Sequence, residues 1–274
     1  MYAELSHVDV ESDVVSISIA GAGVIRMHAL RGRDSVARIA ARDGWCAYEA
    51  PLPRIVAALA RRGRGTVIVV GANTGYYALL CAAHGRPVWA YEAHAWTAEA
   101  LLRNVSASGL DDLVTVSAVA VADHVGTVLL HTPFPTTPDV ECSHSLNGAF
   151  RENAESSRVP STTLDHEWCA AGRPPVELLL VDVESADHLV LAGARDLIEA
   201  QRPAIVVEVL PESDLSALNE AIAEMRLVGA RIDDQGVTRY RRLGAWALSQ
   251  REHVFLPEER FSEITSALRR EWLR

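Results

Sequence analysis

Acidic side chains follow several of the apolar runs in this sequence, and they are the residues best suited to chemistry. Glu92 comes directly after the run VWAY, and Asp123 follows the run VTVSAVAV with one residue between them. Asp182 and Glu184 follow LLLV, and Glu208 follows AIVV. A carboxylate at such a position can accept hydrogen bonds from a bound hydroxyl, take up a proton or ligate a cation. Because the carboxyl ends of parallel strands meet at one edge of a sheet, we expect these acids to face a common crevice.

A glycine-containing turn precedes the first of these acids. The residues Gly71-Ala72-Asn73-Thr74-Gly75 connect the apolar run 67–70 to a segment of helical composition, 76–84. Glycine lets the backbone pass close to a ligand, and the start of a helix offers N–H groups to a carboxylate or a phosphate. Glu92 can accept hydrogen bonds from both hydroxyls of a ribose. The pattern therefore predicts a site for an adenosine derivative.

The spacing of the glycines helps to choose among such ligands. A dinucleotide-binding fingerprint has the form G-x-G-x-x-G, whereas Gly71 and Gly75 stand four residues apart with no glycine between them. This spacing argues against NAD, and an NAD-dependent oxidoreductase is kept as an alternative. A turn that only reverses the chain between a strand and a helix is another alternative.

Strand and helix patterns alternate along most of the chain, which predicts an α/β fold with a doubly wound, mostly parallel sheet. The strands predicted for this sheet are 67–70, 88–91, 114–121, 178–181 and 204–207, with edge strands at 237–240, 245–248 and 253–256. Helices are predicted over 53–62, 76–84, 94–108, 186–200 and 212–227, and again near the end of the chain. Residues 14–19 and 24–28 alternate between apolar and polar, which predicts a hairpin before the sheet.

Residues 124–163 interrupt this alternation. The segment 126–131 suits a strand, and prolines 133, 135 and 138 interrupt it. A long stretch without helical periodicity inside an α/β domain is typical of a functional insertion. We interpret it as a hairpin plus a substrate loop, in which His144 is the notable side chain. The alternative is an exposed loop histidine without a role.

The chain divides into an N-terminal extension, 1–50, and a main domain, 51–274, that contains this insertion. Near the boundary, Trp45, Tyr48 and Glu49 combine aromatic and acidic side chains. One interpretation places them over the mouth of the crevice. The other makes them part of a segment that packs against the edge of the sheet.

Composition limits the kinds of partner. The formal net charge is −10, which argues against nucleic acid and anionic membranes, since both attract basic surfaces. The four cysteines form no C-x-x-C pair, so neither a zinc site nor a disulfide framework is indicated. The first residues carry acids where a signal peptide has a basic start and an apolar core, and long apolar runs are missing. We therefore expect a cytoplasmic protein.

Several of these segments, taken in order, resemble FkbM-type S-adenosylmethionine (SAM)-dependent methyltransferases. The segments are VGANTGYYALLCA with VWAYEA, AVAD with Gly126, VPSTTLD, and LLLVDVESAD followed by LVLAGARDLI and RPAIVVEV. They lie within residues 49–210. The resemblance implies a class I methyltransferase (Rossmann-like) fold with a seven-stranded sheet, and SAM as the cofactor. It also implies O-methylation of a hydroxyl on a small secondary metabolite or a sugar, with S-adenosylhomocysteine (SAH) as product.

The resemblance further implies roles for individual residues. The residues implied to bind the cofactor are Glu49, Gly71, Ala72, Asn73, Gly75, Tyr76, Glu92, Ala93, Asp123 and Asp182. Among them, the glycine turn would hold the methionine portion, Glu92 the ribose and Asp123 the adenine. Asp182 and Glu184 would lie beside the transferred methyl group, where they and His144 are the candidates for a base. No metal site is assigned, and a cation held by Asp182, Glu184 and Glu208 is a minor variant.

Four positions depart from the pattern of that family. Val69 stands where the family usually has Asp, Leu180 where it has Lys, Ser185 where it has Gly, and Asp187 where it has Glu. The first two motivate an alternative function, a methyltransferase-like module that binds an adenosyl group without turning it over. Methylation of a nitrogen or a carboxylate is a further alternative. We expect a small hydroxylated molecule as the partner, and a homodimer is left open.

Overall fold

Strands and helices alternate along the part of the chain that the computed structural model describes, residues 13–134, 139, 143–233, 236–244 and 251–272. The strands are β1 (Val14–Ile19), β2 (Gly23–His28), β3 (Thr66–Val70), β4 (Val88–Tyr91), β5 (Val114–Ser117), β6 (Ala120–Val121), β7 (Gly126–Pro133), β8 (Asn153–Thr162), β9 (Val176–Val181), β10 (Ala204–Glu208), β11 (Leu227–Asp233), β12 (Gly236–Tyr240) and β13 (Glu252–Pro257). The helices are α1 (Ser35–Asp43), α2 (Leu52–Arg62), α3 (Tyr76–Ala83), α4 (Ala95–Ser108), α5 (Leu164–Ala170), α6 (Asp187–Ala192), α7 (Arg195–Gln201), α8 (Leu215–Glu224) and α9 (Phe261–Trp272). None of the described helices combines the length and the apolar composition needed to cross a membrane.

An eight-stranded, mostly parallel sheet forms the centre of the fold, with the strand order β12-β11-β13-β10-β9-β3-β4-β5. The chain runs outward from β3 through β4 to β5 and then returns to β9, on the other side of β3. This reversal opens a crevice at the carboxyl ends of β3 and β9, where doubly wound sheets bind their ligands. The doubly wound, mostly parallel arrangement is therefore as predicted.

The sheet has eight strands rather than the seven expected. The sequence does not indicate β11, and it predicts that Leu227, the first residue of this strand, ends a helix over 212–227. Its pattern is weakened by Gly229, yet glycine is required there, because a Cβ atom would lie 2.0 Å from the Tyr240 ring on β12. The predicted strand 245–248 and residues Pro135, Pro138 and Cys142 lie outside the described residues.

The central strands are buried on both faces, as their continuous apolar runs predict. Alternate residues point into two separate apolar clusters. One cluster contains Ile68, Val70, Leu179 and Val181 and packs against helices α5 to α8. The other contains Val67, Val69, Leu178 and Leu180 and packs against α2, α3 and α9.

Two predicted elements are divided in the structure. The strand predicted over 114–121 is two strands, and β6 leaves the main sheet to join β7 and β8 in a three-stranded sheet. The helix predicted over 186–200 is likewise two helices, α6 and α7, which are separated by Gly193 and Ala194. A Cβ atom on Gly193 would lie 2.1 Å from the carbonyl oxygen of Ala122, just after β6. The close approach of these two backbones explains the break in the helix.

The predicted hairpins are both present. In the insertion, β7 pairs with β8 in antiparallel fashion, and near the N-terminus β1 pairs with β2. Ile17, Ile25 and Met27 of the N-terminal hairpin belong to the same buried cluster as β3 and α2. The division of the chain at residue 50 stays a prediction.

Asn104 of α4 ties this hairpin to the glycine turn. Its side chain is buried, with 1% exposure. The amide oxygen accepts a hydrogen bond from the backbone N–H of His28 at 2.7 Å, and the amide nitrogen donates to the carbonyl of Thr74 at 2.7 Å. One buried side chain therefore satisfies a backbone group in each of the two elements.

We expect Asn104→Ala to lower the free energy of unfolding by about 2–4 kcal/mol, because the His28 N–H and the Thr74 carbonyl both lose their partner. Urea denaturation measures the change. Ser108→Ala is the control, since the Ser108 hydroxyl bonds the Arg26 backbone at an exposed position and should contribute under about 1 kcal/mol. Equal effects of the two substitutions would contradict a bridging role for Asn104.

Candidate functional site

A cleft opens at the carboxyl ends of β3, β4 and β9, and we call it the main cleft. Its empty space is about 600 Å³, a figure that includes the open solvent at its mouth. Its polar lining comes from Gly71, Asn73, Glu92, His144, Asp182 and Glu184. Its apolar wall comes from Val119, Val121, Leu130 and Leu146. An apolar slot with a few convergent polar groups suits a planar ring that carries polar edges.

The glycines of the turn are required by close approach as well as by backbone conformation. Gly71 has a φ of +75°, and a Cβ atom there would lie 1.7 Å from the carbonyl oxygen of Asp182. Gly75 has a φ of +105°, and its Cβ would lie 2.2 Å from Cδ1 of Leu101. Glycine at the first position therefore lets the ends of β3 and β9 meet at the floor of the crevice.

The backbone amides of the glycine turn are already bonded within the protein. Gly71 N–H and Ala72 N–H both donate to the carbonyl of Tyr91, at 3.0 and 2.9 Å. Asn73 N–H donates to Glu92 Oε2 at 2.9 Å, and Thr74 N–H donates to Asn73 Oδ1 at 2.7 Å. The sequence predicted open N–H groups at the start of the following helix, but those of the turn itself are occupied. The turn thus presents the Gly71 backbone and the Asn73 side chain to the cleft.

Glu92 is held by backbone amides at the end of β4. Its Oε1 accepts a hydrogen bond from His94 N–H at 2.9 Å, while Oε2 accepts from Asn73. The residue is 6% exposed. Burial raises the pKa of its carboxyl group from 4.5 to about 7, although the hydrogen bonds from the backbone amides lower that pKa. Each oxygen keeps a second lone pair for a bound hydroxyl. The arrangement fits the predicted contact with a ribose.

His144 lies in the cleft wall, on the connection between β7 and β8 in the middle of the insertion. Its ring stacks on His94 with 4.0 Å between centroids, and its Nδ1 lies 3.1 Å from Thr132 Oγ1. The residue is 8% exposed, and its Nε2 is buried without a hydrogen-bond partner. Burial, with a smaller contribution from His94, lowers the pKa of His144 to about 3. The imidazole is therefore neutral at physiological pH and is a weak proton acceptor there.

A second cavity adjoins the main cleft, and we call it the acidic cavity. Its empty space is about 390 Å³, which again includes open solvent. Four acidic residues, Glu49, Asp182, Glu208 and Glu252, stand around it, and the apolar part is lined by Leu52, Val69, Leu180 and Val206. The Tyr77 hydroxyl donates to Glu49 Oε2 at 2.9 Å and fixes that carboxylate at the rim. The two cavities share Val70, Gly71 and Asp182.

Three carboxylates cluster where the cavities meet. Oxygens of Asp182, Glu184 and Glu208 all lie within 4.8 Å of one another. Burial raises the pKa of Asp182 well above its usual range, and the charges of Glu208 and Glu184 raise it further. Burial also raises the pKa of Glu208 to about 7, although Arg251 pairs with its Oε1 at 2.5 Å. The carboxyl groups of Asp182 and Glu208 therefore take up protons more readily than isolated carboxyls do, and Arg251 pairs with Glu208.

The loop that carries Glu184 is held in an unusual conformation. Glu184 and Ser185 have φ values of 53° and 73°, in the left-handed region that favours glycine. The Ser145 hydroxyl donates to the Glu184 carbonyl at 2.6 Å, and Asn147 Nδ2 donates to the Ser185 hydroxyl at 3.0 Å. The connection between β7 and β8 is thus fastened to the loop after β9 that carries the acids. Glycine adopts the left-handed conformation of Ser185 without strain, which agrees with the glycine expected at this position from the resemblance.

The structure brings most of the predicted site residues together. Gly71, Asn73, Glu92, Ala93, His144, Asp182 and Glu184 all line the main cleft, and Glu49 lines the acidic cavity. Ala72, Gly75 and Tyr76 lie outside the lining of both cavities; the Tyr76 hydroxyl donates instead to the carbonyl of Trp45. Asp123 is exposed, and its Oδ1 lies 2.7 Å from His124 Nδ1 rather than facing the cleft.

Sequence reasoning missed several residues of the site. Tyr77 rather than Tyr76 reaches a cavity, and Glu252 and His94 also take part. Of these, Glu252 could have been recognised, because it directly precedes the apolar run HVFL, which pairs with β10 in antiparallel fashion. The contact of His94 with His144 has no signal in the sequence, since the two rings come from distant segments.

The first two departures from the family pattern turn out to be neighbours. Val69 on β3 and Leu180 on β9 are direct register partners, and both are buried, with 3% and 4% exposure. Both side chains line the acidic cavity. An acid and a lysine at these positions would lie side by side, whereas this chain has an apolar side chain at both.

Comparison with known proteins gives the following matches. A family model described as the methyltransferase FkbM domain matches residues 70–232, more than half of the chain. The chain is similar to the FkbM methyltransferase of Methylobacillus flagellatus KT, with 16% identity and a TM-score of 0.44 over 70% of this chain and 43% of that one. It is also similar to the O-methyltransferase from Bacillus cereus in complex with SAH, with 12% identity and a TM-score of 0.43 over 76% and 81% of the two chains. No curated protein matches. The family match and the strand order together confirm the predicted class I fold.

Proposed function

Because this chain belongs to the FkbM methyltransferase family, we propose that it transfers a methyl group from SAM to a hydroxyl of a small molecule. SAM occupies the main cleft, and the acceptor occupies the acidic cavity. The observation that carries this proposal is that the two cavities meet at Gly71 and Asp182. A methyl group held at that border faces the acceptor directly, while the protein covers the ligands on either side.

The main cleft suits the adenosyl half of the cofactor. Glu92 offers two carboxylate oxygens for ribose hydroxyls, and charge-assisted hydrogen bonds of this kind are strong. In the tautomer that donates from Nδ1 to Thr132, His144 Nε2 is an acceptor, and this buried atom has no partner in the protein. The amino group of adenine is the donor that it fits. We therefore assign His144 to the cofactor rather than to proton transfer.

The residues at the border govern the transfer itself. When bound, SAM supplies an electrophilic methyl group on a sulfonium and leaves as neutral SAH after the carbon–sulfur bond breaks. Alignment is the main catalytic requirement for such a displacement, and the close contact of Gly71 with Asp182 fixes the floor on which both reactants rest. The acceptor oxygen gains the methyl and loses its proton. Asp182 takes up that proton, because it lines both cavities.

The negative charge of the border also favours the cationic form of the cofactor. Asp182 and Glu184 line the main cleft, where a sulfonium would lie near them. Opposite charges attract strongly in a site of low dielectric constant. The product SAH lacks the positive charge, so its release is helped by the same residues.

Glu92→Gln tests the cofactor site. We expect this variant to bind SAH about tenfold more weakly, because a neutral amide replaces a charged acceptor and also sets an NH₂ group against one of the backbone N–H donors. Isothermal titration calorimetry measures the affinity. Glu99→Gln is the matched control, since Glu99 pairs with Arg103 on the exposed surface of α4. A parent protein that gives no heat with SAM or SAH would refute the proposed function.

Two properties of the protein should depend on pH through Glu92, namely SAH affinity and folding stability, and they should change in opposite directions. Glu92→Gln should abolish both dependences. SAH affinity is expected to rise as the pH increases from 6 to 8, because the ionised carboxylate is the better acceptor and its pKa is about 7. In the free protein the raised pKa works the other way: the native state keeps a proton between pH 4.5 and about 7 that the unfolded state has released. Stability therefore falls as the pH rises through that window.

A binding module without turnover is the second candidate, and Val69 and Leu180 favour it. The buried apolar pair stands where the family usually has Asp and Lys, and it lies in the wall of the proposed acceptor cavity. This candidate predicts SAH binding without methyl transfer to any member of a panel of alcohols, sugars and amines. Methylation of one panel member at a rate that depends on Asp182 would exclude it.

A further inference from the structure

The carboxylate cluster at the border of the two cavities is built to hold a metal ion. We propose that Asp182, Glu184 and Glu208 bind one divalent cation of the Mg²⁺, Mn²⁺ or Ca²⁺ type. Their ligand oxygens all lie within 4.8 Å of one another, which allows a single ion to reach all three. Ligands that are all carboxylates select hard cations over zinc or copper.

The strands hold two of the ligands in place. β9 and β10 are parallel neighbours, with Val181 opposite Val207. Asp182 and Glu208, the next residue on each strand, therefore lie side by side. The third ligand, Glu184, lies on the loop that Ser145 fastens through the Glu184 carbonyl at 2.6 Å. A preformed set of ligands on rigid elements lowers the entropy lost when an ion binds.

A second observation points to a missing ligand. Glu208 is 7% exposed, and it lines the acidic cavity. Its Oε1 pairs with Arg251, whereas its Oε2 is buried and has no hydrogen-bond partner apart from the neighbouring carboxyl of Asp182, itself one of the three ligands. Leaving a buried carboxylate oxygen without a partner is unfavourable, because the oxygen loses its hydration and gains nothing in return. A cation bound at Oε2 removes that penalty.

The surroundings strengthen the attraction for a cation. Glu49 and Glu252 line the same cavity, and Asp187 lies buried nearby at the start of α6. Arg251 is the cation that the structure pairs with this group, through Glu208. Acids in excess of the paired positive charge give a negative potential that draws in a small divalent ion. An ion there would also bind an acceptor hydroxyl and ease the loss of its proton, and Asp182 would then act mainly as a ligand and not as the base.

Mn²⁺ titration of the full chain, followed by electron paramagnetic resonance in the absence of SAM, tests the site. We expect one Mn²⁺ per chain, displaced by excess Mg²⁺. Asp182→Asn and Glu208→Gln should each weaken Mn²⁺ binding about tenfold or more. Asp182→Asn should unfold at a temperature no lower than the parent, because it removes one of several mutually repelling carboxylates. Glu208→Gln also loses the ion pair with Arg251, so circular dichroism must show it folded before the titration. The loss of binding then cannot arise from misfolding.

Glu252→Gln is the matched control, since Glu252 lines the same cavity outside the cluster. It should leave Mn²⁺ affinity within about twofold of the parent, as expected for a residue that is not a ligand. The proposal is overturned if the parent shows no saturable binding, or if Glu252→Gln weakens Mn²⁺ as much as Glu208→Gln does. Displacement of Mn²⁺ by butylammonium at concentrations at which Mg²⁺ has no effect would instead assign the cavity to an organic amine.

Cation binding at this cluster does not depend on the proposed function, since it is measured without a cofactor. SAH titrations in the presence of EDTA separate the two. Mn²⁺ binding without SAH binding would sink the proposed methyl transfer and leave the metal site standing. SAH binding without Mn²⁺ binding would do the reverse.

Discussion

Alanine at Gly71 is expected to weaken SAM and SAH binding by about 100-fold or more and to lower the free energy of unfolding by about 3 kcal/mol. The added Cβ would lie 1.7 Å from the carbonyl oxygen of Asp182, and the residue has a φ of +75°. Either the turn or the end of β9 must then shift. Because Asn73 N–H holds Glu92, a shifted turn also displaces the carboxylate assigned to the ribose. Calorimetry with SAH and urea denaturation measure the two effects.

Gly85→Ala separates crowding from backbone conformation. Gly85 has nearly the same φ, +76°, but a Cβ there would meet nothing within 4 Å. We expect this control to reduce stability by about 1–2 kcal/mol and to leave SAH affinity unchanged. If the two alanine variants bound SAH equally well, the glycine turn would not belong to the cofactor site.

Aspartate at Val69 is expected to lower the free energy of unfolding by about 3–5 kcal/mol, because it places an unpaired charge among buried apolar groups. Lysine at Leu180 should have an effect of similar size for the same reason. The double variant should be more stable than the sum of the two losses predicts, by about 1.5 kcal/mol or more, because the two residues are register partners on β3 and β9.

Urea denaturation of the parent, the two single variants and the double variant measures this coupling. Leu180→Met is the control for packing alone and should change stability by less than about 1.5 kcal/mol. Strict additivity of the two charged substitutions would mean that the side chains do not meet, contrary to the register of the sheet.

The sequence predicted those site residues that come directly after a strand. Glu92, Asp182 and Glu184 each follow an apolar run, and parallel strands bring such positions to one edge. Gly71 was identifiable for a similar reason, since a turn between a buried strand and a helix restricts the residue type. These inferences needed only local patterns and the rule that sets strand direction.

The rest depended on contacts between distant segments. Asp123 was expected in the crevice because 114–121 reads as one strand, but the chain leaves the main sheet after Ser117 and β6 pairs with β8. Tyr76 and Tyr77 are adjacent on α3, and composition does not tell which one reaches a cavity. The stacking of His144 on His94 arises from the path of the insertion, which no periodicity specifies.

The tie between the N-terminal hairpin and α4 affects how the chain emerges from the ribosome. His28 and Asn104 are separated by 76 residues, which take about 4–15 s to synthesise at 5–20 residues per second. During that interval the hairpin has neither α3 nor α4 to cover Ile17, Ile25 and Met27, which are at most 1% exposed once the protein is folded. An uncovered apolar strand pair invites association between nascent chains. The apolar side chains of the hairpin are thus open to such association until α3 and α4 have been made.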